Sequence, residues 1–225
     1  MIVGERKPLS EIMELLSGAQ KVLVAGCGTC VTVCFAGGEK EVGILASELR
    51  MKSKLDDHPM EVEEATVQRQ CEWEYIDPLL ERLDEYDVVL SLACGIGVQA
   101  MNERFSGVVT LPGINTTSLS LPVEQGIWEE RCQACGDCLL GTTFGICPIA
   151  RCSKQLLNGP CGGSQEGVCE VDSDTPCVWQ LIWDRAIEFD QVKRLLDIQS
   201  PKNWSLSRDG GPRKIVREDL QLESE

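Results

Sequence analysis

The chain has 225 residues, 43% hydrophobic and 25% charged, with a formal net charge of −15 at neutral pH. That size suits one generous domain or two modest ones, and the balance is that of a soluble globular protein. No apolar run approaches the ~20 residues of a membrane span, and so acidic a surface disfavours nucleic acid and anionic membrane while favouring basic partner surfaces.

The opening stretch, MIVGERKPLSEIMELL, lacks an apolar signal core followed by a small-residue cleavage site, so a cytoplasmic location is expected. Leu9, Ile12, Met13 and Leu16 keep helical spacing, and Gly18 sits where a helix would stop. KVLVAG (21–26) reads as a buried strand. Val42, Leu45, Ala46 and Leu49 mark a second helix, and EVEEATVQ (61–68) a weaker strand. Asp77–Pro78 is expected to cap and open a helix leading into Leu79, Leu80 and Leu83. DVVLSLA (87–93) is a second buried strand, GVQAMNERF (97–105) a short helix, and GVVTLP (107–112) a third apolar strand. Strands alternating with helices over 1–120 predict an α/β domain with a small doubly wound parallel sheet.

From 121 the texture changes. Eight cysteines fall between Cys132 and Cys177, with few apolar residues of regular period. A segment that small buries little core, so 121–199 is expected to be a cysteine-rich, metal-stapled domain. It closes with a helix that carries Val178, Ile182, Phe189, Val192 and Leu196 on one face. Residues 200–225 form a polar tail ending in LQLESE, either a partly disordered terminus or an arm that wraps a partner.

Thirteen cysteines against one histidine, His58, is the outlying feature of the composition. The odd count and the missing export signal speak against a disulfide framework. In a reducing compartment, dense cysteines serve as metal ligands or catalytic thiols. Zinc sites here would have to be mostly all-cysteine, and thiolate-rich sets suit iron–sulfur clusters and zinc alike.

GCGTCVTVCFAGG (26–38) follows the first buried strand and admits three readings. A dinucleotide fingerprint wants a third glycine where Val31 stands, so that match fails at the position needed for close helix–strand packing. A dithiol oxidoreductase could use Cys27 and Cys30, a CxxC at a helix start, but leaves Cys34, Cys71 and Cys94 without a reason. A metal cage accounts for all five. In a doubly wound sheet the loops at the carboxyl ends of the strands converge on one crevice, and four thiolates hold a 4Fe–4S cluster. The expected ligands are Cys30, Cys34, Cys71 and Cys94, with Cys27 as the spare.

In the second cysteine field, Cys132-x2-Cys135-x2-Cys138 has the tight spacing with which ferredoxin loops wrap a cubane, and Cys147–Pro148 resembles their distant Cys-Pro. Cys152, Cys161, Cys169 and Cys177 are spaced too widely for paired zinc knuckles. Eight thiolates make two four-ligand sites, either two clusters or one cluster and a closed zinc site, and the spacing leaves their grouping open.

At these residues the sequence resembles a known family. CQACGDCLLGTTFGICPIARCSKQLLNGPCGGSQEGVCEV followed by CVWQLIW is similar to the methylenetetrahydrofolate reductase C-terminal domain family. GCGTCVTVCFAGGEKEVGILASELR with SLACGIGVQ resembles the N-terminal half of that family's acetogen-type iron–sulfur small subunit. The resemblance implies a partner, a flavin-containing methylenetetrahydrofolate reductase catalytic subunit of the methyl branch of acetyl-CoA synthesis. It also implies iron–sulfur clusters, zinc as a further option, and larger electron-transfer assemblies. It makes all five N-terminal and all eight C-terminal cysteines candidate ligands. The expected function is an electron-transfer subunit that passes single electrons to the partner's flavin, with no catalytic residue of its own. The rivals are a zinc-stapled docking subunit and a thiol–disulfide oxidoreductase at Cys27 and Cys30. His58 is expected in a solvated loop. Trp73, Trp128, Trp179 and Trp183 are expected to pack near the cysteine loops or at a subunit interface, and Arg151, Lys154 and PRKIVR (212–217) to be ordinary surface charge.

Overall fold

In the computed structural model, which describes residues 1–221, strand β1 (Ile2–Arg6) and helix α1 (Leu9–Leu15) lead into β2 (Lys21–Cys27). A one-turn helix α2 (Cys30–Val33) and the long α3 (Glu39–Leu55) carry the chain to β3 (Glu61–Val67). Then come α4 (Trp73–Leu80), β4 (Val88–Ser91), α5 (Gly95–Arg104) and β5 (Val109–Pro112). Strands β2, β3, β4 and β5 form one parallel sheet in the order β3-β2-β4-β5, with Val22 opposite both Val62 and Val88.

The apolar run in β2 is buried on both sides, as a central parallel strand must be. Val22 and Val24 face one core with Ile12, Leu45 and Leu49, while Leu23 and Ala25 face another with Ile76, Leu79 and Met101. Helices thus cover both faces of the sheet. Glu41 in the first turn of α3 accepts the Gly38 N–H at 3.0 Å and fixes that helix start. Gly37 and Gly26 are needed for closeness: a Cβ would lie 1.9 Å from the Leu92 carbonyl oxygen at the first and 2.6 Å from Val42 at the second.

Beside this sheet the chain builds a second one. Strands β6 (Ile114–Glu124) and β7 (Ile127–Cys132) join β1 in the order β1-β6-β7, with β1 and β6 antiparallel. Sequence periodicity does not announce it, because only Ile114 and Ser120 of β6 are buried. Helix α4 also departs from expectation. It starts at Trp73, so Pro78 lies inside it rather than at its first turn.

By its internal contacts the chain forms two units, Met1–Glu129 and a second beginning at Glu130. The second holds the one-turn helix α6 (Pro148–Arg151) and α7 (Val178–Glu188). The predicted long helical face breaks after Glu188: Phe189 caps α7, Asp190 takes φ +53°, and Val192–Leu196 is a short 3-10 turn. The expectation of a metal-stapled segment is overturned. Among the described residues no group of three or more His, Cys, Asp or Glu side chains is placed to hold a metal ion. A small apolar core stands there instead, with Ile146, Cys177, Val178, Trp179 and Ile182 at its centre. The beginning of the tail is bound to its own unit. Lys202, its side chain buried, donates to the Asp137 carbonyl, and Arg213 donates to the Ala134 carbonyl at 2.6 Å. Residues 222–225 of the expected tail lie outside the described residues.

Candidate functional site

The carboxyl ends of β2, β3 and β4 bring thiols together, as the topology requires. Cys27 ends β2, Cys71 follows β3, and Cys94 caps α5 just beyond β4. Cys27 and Cys94 are buried, while Cys71 is exposed. Partial desolvation and the neighbouring Cys27, then Cys94, push the Cys71 thiol up from its ordinary range. That shift disfavours the thiolate, the nucleophilic form.

Cys34 does not join them. It is buried, accepts the Gly4 N–H at 3.4 Å and points its sulfur at the Val31 and Gly4 carbonyls, 3.5 and 3.6 Å away. It packs α2 against β1. Cys27, expected as the spare, lies instead near Cys71, its sulfur 3.7 Å from the Thr29 hydroxyl and 3.9 Å from the Gln68 carbonyl. Cys30 opens α2 and is half-buried.

One residue that sequence pattern did not single out organises this rim. Gln70 is fully buried. Its amide donates to the carbonyls of Ala25 and Gly26, each at 3.0 Å, and accepts the Ser91 hydroxyl at 2.6 Å. The side chain bolts the segment carrying Cys71 to the ends of β2 and β4. The available signal was a polar residue immediately before a cysteine at a strand end, which by itself is too common to read.

In the second unit, Cys132 and Cys138 are exposed and Cys135 is half-buried, its sulfur 3.7 Å from the Asp137 carbonyl. Cys147 caps α6, accepting the Ala150 N–H at 3.5 Å. Cys152, Cys161, Cys169 and Cys177 line one cavity of about 20 Å³, room for about one water. The backbone N–H of Gly163, with Lys154 nearby, lowers the Cys161 thiol below its ordinary range. The N–H of Val171 and the Ser153 hydroxyl do the same for Cys169. Ser153 and Lys154, neighbours in one loop, act on Cys169 and Cys161 respectively, and Cys161 opposes the ionisation of Cys169. These four cysteines line a common cavity, but among the described residues no three such side chains are placed to hold a metal ion.

These placements correct the cofactor expectations. With no metal-holding group of three or more such side chains among the described residues, the residues do not fit the iron–sulfur cluster expected in the first unit. Nor do they fit the one or two clusters, or the zinc, expected in the second. The electron-transfer function that rested on those clusters falls with them, as does the zinc-stapled alternative. The thiol–disulfide reading gains nothing either, because Cys27 is only 7% exposed and turned toward Thr29 and Gln68. All thirteen cysteines are free thiols.

Two further features are independent of the thiols. In the first unit a groove of about 520 Å³ is lined by Arg6, Phe35, Ile127 and Trp128. Phe35 is 61% exposed at φ +55°, a costly conformation for a bulky residue, and its ring meets Trp128 edge-on at 6.4 Å. The indole N–H of Trp128 is buried without an acceptor among the described residues. In the second unit a cavity of about 530 Å³ lies against α7.

Residues 111–205 match the family model described as methylene-tetrahydrofolate reductase C terminal. No curated protein and no solved structure matches the chain. The matched stretch takes in β6, β7, all eight cysteines of the second field, α7 and the start of the tail. Among the described residues no helix is long and apolar enough to cross a membrane.

Proposed function

We propose that the chain is an accessory protein of methylenetetrahydrofolate reductase, which docks on a separate, flavin-containing catalytic subunit and leaves the reduction to it. The family match over 111–205 carries this reading. The chain's own architecture agrees with it, since a four-stranded parallel sheet beside a three-stranded one is not the eight-stranded barrel of a self-contained barrel enzyme.

The Phe35–Trp128 groove supplies the chemistry for docking. Exposed aromatics beside a concave surface are typical interface anchors. The net charge of −15 selects a basic partner surface. Mixing the full chain with a methylenetetrahydrofolate reductase catalytic subunit and following elution and calorimetry tests the proposal. A complex of micromolar or tighter Kd is expected. Separate elution with no heat at about 100 μM of each protein sinks it.

A further inference from the structure

The segment after α7 does more than end the second unit. At Gln199 it is anchored, since the Asn158 amide donates to the Gln199 carbonyl at 2.9 Å and accepts the Gln199 N–H at 2.7 Å. Beyond that point it folds into two short 3-10 turns, Trp204–Leu206 and Arg208–Gly210. Each turn is capped by a side chain: Asn203 accepts the Ser205 N–H and Ser207 the Asp209 N–H, both at 3.1 Å. The segment is thus a shaped element with a fixed starting point.

What it grips is the thiol loop 132–138. Lys202, its side chain fully buried, donates to the Asp137 carbonyl and stands 3.5 Å from the Asp137 carboxylate, with its Nζ 5.9 Å from the centre of the Trp204 ring. Arg213 donates to the Ala134 carbonyl at 2.6 Å and to the Leu206 carbonyl at 3.3 Å, so one guanidinium joins loop and segment. Between these points backbone meets backbone: a Cβ at Gly136 would fall 2.3 Å from the Leu206 carbonyl oxygen. The loop needs such support. Ala134 takes φ +50° and Gly136 φ +81°, and a residue other than glycine keeps that conformation only where its surroundings enforce it.

Cys135 sits in the middle of this contact. Its sulfur is 3.7 Å from the same Asp137 carbonyl that Lys202 binds, and it is half-buried where Cys132 and Cys138 on either side are exposed. With Trp204, Ser207 and Arg208 it lines a cavity of about 240 Å³. We infer that residues 200–213 are a strap, hinged at Gln199, that governs access to the Cys135 thiol. Closed, with Lys202 on Asp137, the strap shields that sulfur and holds the turn at Ala134. Lifted, it frees the loop and exposes Cys135. No docking partner is involved, so a failure here leaves the proposed function standing.

Alkylation of the full chain by iodoacetamide, followed by peptide mass spectrometry, reads each thiol separately. In the parent, Cys135 should react ~10-fold or more slowly than Cys132 and Cys138, because it waits for a local opening. Lys202→Met keeps the apolar stem and removes the charged donor, and should raise the Cys135 rate ~10-fold. Arg213→Ala, at an exposed residue, should raise it ~3-fold. Cys177, buried in the core of the same unit, should keep its slow rate in both variants and so reports folding. Where Lys202→Met also frees Cys177, that variant has unfolded and Arg213→Ala alone decides. Cys135 reacting as fast as its neighbours in the parent overturns the inference, as does a Cys135 rate that no folded variant raises.

Discussion

Gln70 shows how much a single polar side chain can hold when nothing else reaches its position. It satisfies two strand-end carbonyls and one hydroxyl in a site without solvent access. Truncation removes all three bonds. The Ala25 carbonyl still accepts the Leu92 N–H at 2.8 Å and the Ser91 oxygen the Ala93 N–H at 3.1 Å, while a buried group left without a partner costs about 1–3 kcal/mol. Gln70→Ala should therefore lower unfolding free energy by roughly 3 kcal/mol in urea titrations, after allowance for local relaxation. A loss under about 0.5 kcal/mol would show that the bridge is dispensable. The thiols near it make a contrasting case. Their convergence was legible from strand-end topology, but the direction of each sulfur was not. Cys34 follows the same strand as Cys27, yet the single turn of α2 between them rotates it into the core against Gly4. Spacing counts residues along the chain, and coordination depends on where each sulfur points.

At the level of elements, strands buried on both faces and helices with a steady apolar period were legible. α3, β2 and β4 lie where the pattern puts them, because burial alone selects their residues. The β1-β6-β7 sheet was not, since little of β6 is buried and backbone pairing leaves no hydrophobic signature. Nor was the break after α7, which depends on Asp190 adopting a left-handed turn. Side-chain to backbone bonds between elements escape periodicity as well. The Asp87 carboxylate accepts the N–H groups of Lys21 at 2.8 Å and Gln20 at 2.7 Å, tying the start of β4 to the start of β2. These bonds, Lys21 first, hold its carboxyl below the ordinary carboxylate range. The ionised form is the one the fold favours. Its contribution is present above the unfolded carboxyl's pKa of about 3.9 and is lost as pH falls through the lower folded value. Asp87→Asn should thus lower Tm at neutral pH, and the gap to the parent should close on acidification below about pH 4. Thermal melts across that range read it directly. A gap that stays constant would show that the effect is not ionic.

For the whole molecule the decisive property is charge. An excess of 36 acidic over 21 basic side chains surrounds both units, and much of the local pairing is consumed internally, as where Lys21 approaches Glu61, Glu63 and Glu85 together. What remains is a long-range negative field, which acts on encounter, while the Phe35–Trp128 groove acts only after contact. The two contributions separate in kinetics. Steering by the field should make the association rate with the reductase catalytic subunit fall ~10-fold or more between about 50 and 500 mM salt, as the Debye length shrinks from roughly 14 to 4 Å. Phe35→Ala should raise the dissociation rate ~10-fold or more, because an aromatic anchor is lost from a desolvated contact, and should leave that salt dependence unchanged. Surface-immobilised binding measurements at both salts resolve the two rates. An association rate indifferent to salt would remove the basic partner face from the proposal. A dissociation rate indifferent to Phe35 would move the contact away from this groove.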